Sequence, residues 1–359
     1  MIKEAIAKVV NGDDLTEPEM EQAMEEIMTG SASPAQIGAF IAALRIKGET
    51  VDEVSGAARV MRARAVKIPV GNHIVNIDRD EINIEDETIL DTCGTGGDGT
   101  MTFNISTTTA FVAAGGGVKV AKHGNRAVSS HCGSADVLEA LDVNLDISRS
   151  DVERCLREVG IGFLYAPLFH TAMKYAVGPR RDIGIRSIFN LLGPLTNPAG
   201  ASAQVLGVYA PDLTEKMALV LKKLGAREAF VVYGEGTFDE ISICGPTRIS
   251  HLKDKTVNTF EMTPEEHGFT RATPEAIRGG SASENARTIL DILNGEKGPK
   301  RDVVLLNAAA AFMAAGIDSS FKEGIERAAD SIDSGRAREK LDMLVAYSGE
   351  CNSFDRSRP

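Results

Sequence analysis

Apolar positions in the first part of the chain recur with a helical period. After Ser33, the residues Ile37, Phe40, Ile41 and Leu44 fall at i, i+3, i+4 and i+7, one face of a helix. From Thr50 the pattern resumes with Val54, Ala57 and Met61. Thr16 with Glu19, Ser33 with Gln36 and Thr50 with Glu53 fit the capping box, and Pro34 sits where a first helical turn favours proline. These signals predict a small helical bundle reaching about residue 70, with MIKEAIAKVV as a further helix.

Beyond that point the pattern changes. Ile74 to Ile77 and Thr88 to Leu90 read as short strands, and the acidic stretch between them, Asp78 to Glu87, as solvated loop. Apolar strand-like runs then follow at Val118–Val120, Gly162–Tyr165, Val205–Tyr209 and Phe230–Tyr233. Amphipathic runs at Ala135–Leu141, Ser150–Val159 and Thr214–Leu224 lie between them. Such alternation predicts an α/β fold with a mostly parallel sheet. Leu168 to Arg186 is helical again, interrupted at Gly178-Pro179 and followed by Gly193-Pro194. Those pairs mark either helix stops or crossings between two domains.

Composition bounds the function. With 359 residues, 43% hydrophobic and 25% charged, the chain has material for a large core. A net charge of -12 excludes a broad nucleic-acid or anionic-membrane surface, so an anionic ligand has to be met locally. The five cysteines lack C-x-x-C spacing, the pattern of reduced thiols in the cytoplasm. No signal peptide is read at the N-terminus, and the apolar run Val303 to Gly316 is too short to span a bilayer.

Candidate chemistry concentrates between Asp91 and Ser134. Gly94-Thr95-Gly96-Gly97-Asp98 follows a predicted strand and precedes a predicted helix near Asn104, a turn in which backbone N–H groups can face a ligand. It has no G-K-[ST] and so is not a P-loop. Asn104-Ile105-Ser106-Thr107 suits a helix cap, yet four hydroxyls from Ser106 to Thr109 exceed what capping requires. Lys122-His123-Gly124-Asn125-Arg126 places two cations and an amide at the carboxyl edge of the sheet, where α/β folds bind ligands. Asp239-Glu240, at the start of a strand-like run, offers hard oxygen donors of the kind magnesium takes. Arg180 is suited to a planar carboxylate.

Taken in order and spacing, GTGGD at 94–98, NIST at 104–107, KHGNR at 122–126 and GSADVLEAL at 133–141 resemble the anthranilate phosphoribosyltransferase family. FNLLGPLTNPAG at 189–200, Asp239-Glu240 and LNGEKGPKRDVVLLNAAAA at 293–310 do so as well. Thr171, where the family often has proline, is a small departure; the insert at 78–87 and the tail at 349–359 are less typical. The resemblance implies a helical domain over 1–71, with 166–187 returning to it. It also implies an α/β domain over 72–165 and 188–359, built like the nucleoside phosphorylases that handle pyrimidines. It implies transfer of phosphoribose from 5-phosphoribosyl 1-diphosphate to anthranilate, the second step from chorismate to tryptophan, by a cytoplasmic homodimer with two Mg2+ ions per chain. Donor contacts would come from Gly94, Gly97, Asp98, Thr102, Asn104, Ile105, Ser106, Thr107, Ser134 and the loop of Lys122, His123, Gly124, Asn125, Arg126, Ala127, Val128, Ser129 and Ser130. Anthranilate would meet Gly94, Asn125 and Arg180, and magnesium would meet Ser106, Asp239 and Glu240. Charge stabilisation by Lys122, Asp98 and Ser106, without a single acid or base, would carry the reaction. The alternatives are a pyrimidine-type nucleoside phosphorylase and a nucleic-acid-binding relative without catalysis. The first would carry a different phosphate loop and the second a basic groove.

Overall fold

The computed structural model describes residues 1–70, 73–78, 81–96, 99–127 and 132–351, with only the backbone described for 73–78 and 81–86. Four helices open the chain: α1 (Ile2–Val10), α2 (Glu17–Met28), α3 (Pro34–Lys47) and α4 (Val51–Arg64). The last three start on complete capping boxes, in which the cap hydroxyl and the side chain three residues on satisfy each other's backbone N–H. Their apolar faces, among them Met20, Met24, Phe40, Ile41 and Leu44, are buried against one another.

The expectation of a solvated loop at 78–87 is overturned. β1 (His73–Asp78) and β2 (Glu81–Asp86) pair antiparallel, Asp78 opposite Glu81, as a two-stranded hairpin. Ile82 and Ile84 alternate there with acidic and amide residues, the period of a strand; positions 79 and 80 lie outside the described residues.

The α/β part follows as β3 (Ile89–Gly94), α5 (Ile105–Gly115), β4 (Lys119–Gly124), α6 (Ser134–Ala140), α7 (Arg149–Arg154) and β5 (Ile161–Tyr165). α7 runs on into a π turn over Cys155–Val159. Next come α8 (Ala166–Phe169), α9 (Lys174–Ile183), α10 (Ile188–Leu192), β6 (Ala203–Gly207), α11 (Leu213–Lys223) and β7 (Glu228–Gly234). β8 (Thr247–Lys253), β9 (Thr256–Met262), α12 (Ala282–Leu293), α13 (Pro299–Ala314), α14 (Phe321–Asp333) and α15 (Arg336–Gly349) complete it. Gly178-Pro179 does not interrupt the helix: Pro179 lies within α9, which ends at the left-handed Gly184. α9 packs against α2 and α3 of the opening bundle.

The large sheet has the order β5-β4-β3-β6-β7-β8-β9. Its first five strands are parallel; β8 and β9 add antiparallel at one edge, a hairpin that the apolar pattern did not announce. Successive strand residues face opposite sides. Val205, Phe230 and Val232 join the core around α5 and α13, whereas Leu206, Ala229 and Val231 join the core of α11 and the helical bundle. The run Val303 to Gly316 is largely α13, buried at the centre of the first core.

Candidate active site

The chain steps outward from β3 to β4 and β5, then returns to place β6 on the other side of β3. That reversal leaves a crevice at the carboxyl ends of β3 and β6, where ligands of parallel sheets bind. Both strands end there on glycine, Gly94 paired with Gly207. Asp239 crosses this point. A Cβ on Gly94 would run into its carboxylate and a Cβ on Gly207 into its backbone. Gly96 donates its N–H to Asp239 Oδ2 at 3.0 Å, and Thr95 donates its own to the Gly207 carbonyl at 2.9 Å. Asp239 and Glu240 sit in an irregular loop after β7 and not in a strand, since the chain is already turning at the Gly234 to Phe238 bridge. Gly97 and Asp98 lie outside the described residues.

The start of α5 faces the same crevice. Its cap residue Asn104 makes no side-chain bond to the helix. Instead it donates to the Cys132 carbonyl at 3.2 Å and accepts from Asn285 at 3.0 Å, which anchors the helix start to the segment before α6 and to α12. Ile105 is buried as core, and Thr102 makes a backbone bridge to Arg278. Among the described residues, Thr107 Oγ1 and Thr95 Oγ1 are buried with no hydrogen-bond partner. A buried unmet hydroxyl is costly, and a ligand oxygen would satisfy it.

Lys122 reaches this helix start from β4. Its buried ammonium donates to the Thr92 carbonyl at 2.6 Å and to Ser106 Oγ at 3.3 Å. Burial pulls the ammonium pKa down, while the charges of Asp91 and Glu240 pull it back up. Asp91, fully buried, is pushed up to about 6 by burial, against the opposing pull of Lys122 and the donors of Asn197 and His123. Its oxygens accept from Asn197 Nδ2 and the His123 N–H, and the neighbouring Lys122 charge favours the ionised form.

Beyond Lys122 the strand turns into a loop. His123 Nε2 faces His170 Nε2 at 3.2 Å, and burial holds the two imidazoles down at about 3 and about 4, so both are neutral at pH 7. A Cβ on Gly124 would strike Ser134 Oγ, which donates to the Asn125 carbonyl at 3.3 Å. Arg126 is held by Asp136, Glu139 and the Tyr165 hydroxyl, and Asp136 Oδ2 also receives the N–H of Ala127 at 2.9 Å. Val128, Ser129 and Ser130 lie outside the described residues. Arg180 is half-buried on α9 with its guanidinium over the Phe189 ring, 5.2 Å from the centroid, and no carboxylate among the described residues pairs with it.

Residues 86–338 match the glycosyl transferase family a/b domain and residues 3–65 the helical bundle domain of that family. The anthranilate phosphoribosyltransferase of Geotalea uraniireducens is 58% identical over 350 residues, covering 98% of this chain and 100% of its own. The chain belongs to the anthranilate phosphoribosyltransferase family. Among solved structures, the family's enzyme from Thermus thermophilus superposes with a TM-score of 0.87 at 43% identity, covering 96% of this chain and 99% of that one. The enzyme from Saccharomyces cerevisiae in complex with PRPP and Mg superposes with a TM-score of 0.86 at 27% identity, covering 97% and 98%. The fold expected from the sequence, a helical domain with a larger α/β domain, is the fold of this family.

Sequence reasoning passed over Asp91, Asn197 and His170. Asp91 was the one charged residue in an otherwise apolar strand end, a signal available in the sequence. Asn197 lies in the 189–200 stretch and His170 just before Thr171, both noted in the resemblance, but their partners are 106 and 47 residues away, so the sequence alone assigned them no role.

Proposed function

We propose that the chain transfers the 5-phosphoribosyl group from 5-phosphoribosyl 1-diphosphate to the amino group of anthranilate, releasing diphosphate. One observation carries the reading on the structural side: Lys122 and Ser106 meet at the start of α5, opposite Asp239 on the Gly94–Gly96 turn. Amides, hydroxyls, an ammonium and carboxylates thus border a single crevice. The names of the relatives, and the PRPP and Mg of the yeast complex, supply the substrate class.

In this reading the amides of the glycine turn and of the α5 start hold phosphate oxygens, and Thr95 and Thr107 supply their unmet hydroxyls. Donor contacts extend through Gly94, Gly97, Asp98, Thr102, Asn104 and the 122–130 loop to Ser134. Ser106, Asp239 and Glu240 would hold magnesium, two ions per chain, whose chemistry is to neutralise the leaving diphosphate. A hydroxyl and two carboxylates are the hard oxygen donors that ion takes. Lys122 stabilises the same departing charge. The C1–O bond breaks with its electron pair leaving on diphosphate, the amine nitrogen forms the new bond to C1, and its proton goes to solvent. Arg180 pairs the anthranilate carboxylate, with Gly94 and Asn125 beside the ring. An aromatic amine is neutral at pH 7, so no strong base is required, and the two neutral histidines are not assigned that role.

The test follows anthranilate fluorescence on adding the phosphoribosyl donor, with and without magnesium. Donor- and magnesium-dependent loss is expected; unchanged fluorescence with folded protein overturns the reading. The nucleoside phosphorylase and nucleic-acid-binding alternatives have no observation in their favour.

The same proposal includes a cytoplasmic homodimer. Val10, Ile46, Val177 and Ile185 are more than half exposed, on α1, α3, α9 and the turn after α9, and α3 packs against both α1 and α9. A second copy covering this face would bury them. Sedimentation at twice the chain mass is expected, and Ile46→Glu should shift it toward monomer. No helix among the described residues is long and apolar enough to cross a membrane.

A further inference from the structure

β3 and β4 part company earlier than their neighbours do. Their pairing covers only Ile89 with Lys119 and Leu90 with Val120, whereas β3 stays with β6 to Gly94 and β4 stays with β5 to Gly124. Above Leu90 and Val120 the backbone pairing of the two strands stops, and the buried backbone groups that face across the gap need other partners. Three side chains supply them. Asp91 Oδ1 accepts the His123 N–H at 3.2 Å, Lys122 donates to the Thr92 carbonyl at 2.6 Å, and Asn197 Nδ2 donates to the Ala121 carbonyl at 2.8 Å. Asn197 also donates to Asp91 Oδ2 at 2.8 Å and accepts from the Ala199 N–H at 2.9 Å, so it ties the gap to the loop after α10. All three side chains are nearly or wholly buried.

We propose that Asp91 and Asn197 are positioning residues that bridge β3 and β4 at the carboxyl edge where their backbone pairing stops, so that the Lys122 ammonium lies beside Ser106 with a donor left for a phosphate oxygen. Among the described residues Lys122 has two acceptors, Thr92 O and Ser106 Oγ, for three N–H donors. Asp91 supplies negative charge next to it from β3, with Cys93 on the same strand and Glu240 on the loop after β7 as the other titratable groups around it. Neither Asp91 nor Asn197 touches substrate in this scheme; both act through Lys122 and the His123 backbone. The role rests on the transferase reading for its kinetic consequence but not for its structural one.

The experiment uses the full chain carrying Asp91→Asn, which keeps shape and removes charge. kcat/KM for the phosphoribosyl donor is expected to fall roughly tenfold to hundredfold, through a raised donor KM, the size expected for losing a hydrogen bond to a charged group. The anthranilate KM should move by less than about threefold, and in a Lys122→Met background the same change should add less than about threefold, since the two residues act as one unit. Amide hydrogen exchange at His123 should speed up, while Leu206 and Val232 in the intact part of the sheet keep their protection. Asn197→Ser should reproduce the donor-selective loss and serves if Asp91→Asn does not fold. Equal weakening of both substrates, an undiminished effect without Lys122, or unaltered His123 exchange overturns the proposal. Should the wild-type chain show no transferase activity, the functional reading fails separately. Binding of inorganic diphosphate with magnesium, compared between wild type and Asp91→Asn, and the exchange data still decide the positioning role.

Discussion

The helix starts of the N-terminal bundle and the start of α5 are built from the same residue types and end up in opposite conditions. In α4 the Thr50 hydroxyl accepts the Glu53 N–H at 3.2 Å and Glu53 Oε2 accepts the Thr50 N–H at 2.8 Å; α2 and α3 repeat the exchange. Their cap hydroxyls are satisfied within the first turn, and Glu53 has oxygen left only for the Leu15 N–H and Lys47. At α5 the cap residue Asn104 turns away to Cys132 and Asn285, Ser106 meets a buried lysine, and Thr107 has no side-chain partner among the described residues. Unspent hydrogen-bonding capacity in a buried place costs stability, so its retention points to a ligand that completes it.

The largest blow to that contrast comes from Lys122→Met. kcat/KM for the donor should fall by about 10²–10³-fold, as for loss of a preorganised charge donor, and the melting temperature should fall as well, because Asp91 keeps a buried charge and the Thr92 carbonyl loses its donor. A fall in stability with normal kinetics would make α5 an ordinary structural start. Next, Arg180→Ala should raise the anthranilate KM roughly tenfold through loss of a charge-assisted pair and leave the donor KM nearly unchanged. Equal effects on both substrates count against the assignment.

A matched pair sharpens the comparison further. Thr50→Ala should cost about 1 kcal/mol in chemical denaturation, the worth of a cap, with steady-state kinetics untouched. Thr107→Val should leave stability level or improved and raise the donor KM several-fold. If both variants behaved alike, the distinction between used and unused hydroxyls would have no content.

The smallest effect is in pH. Burial holds His123 at about 3 and His170 at about 4, against about 6.5 in an unfolded chain. Below about pH 6.5 the unfolded state then binds more protons than the folded one, so stability is complete above that pH and declines as pH falls toward the folded values. Asp91, raised to about 6, acts with the opposite sign and is common to wild type and variant. Denaturation at about pH 7.5 and about pH 5 should therefore show a shallower decline for His170→Gln than for wild type. An identical decline would mean the histidines are not buried neutral.

Much of this was legible along the chain. The capping boxes, the strand and helix alternation and the motifs at 94–98, 104–107 and 122–126 are local, because cap chemistry and side-chain period act within a few residues. The first strand of the hairpin was legible at Ile74 to Ile77, but the second, β2, was hidden because its acidic residues obscure the Ile82 and Ile84 alternation. Pro179 suggested a break, since an interior proline removes a backbone bond and crowds the carbonyl four residues back; α9 nonetheless runs through it to Gly184. Asp239 and Glu240 were legible as oxygen donors; that Asp239 closes over Gly94 was not.

The order of residues thus determined which groups are present and which secondary structures they form, since those depend on neighbours a turn or a strand away. Only the tertiary structure decided which of them are spent. Asp91 meets Asn197 across 106 residues and Lys122 meets Ser106 across 16, and the parting of β3 from β4 opens between them. Whether a hydroxyl or an ammonium keeps capacity for a ligand depends on what the fold brings within 3 Å of it, and hydrogen bonds fall off too steeply with distance for sequence neighbours alone to settle that.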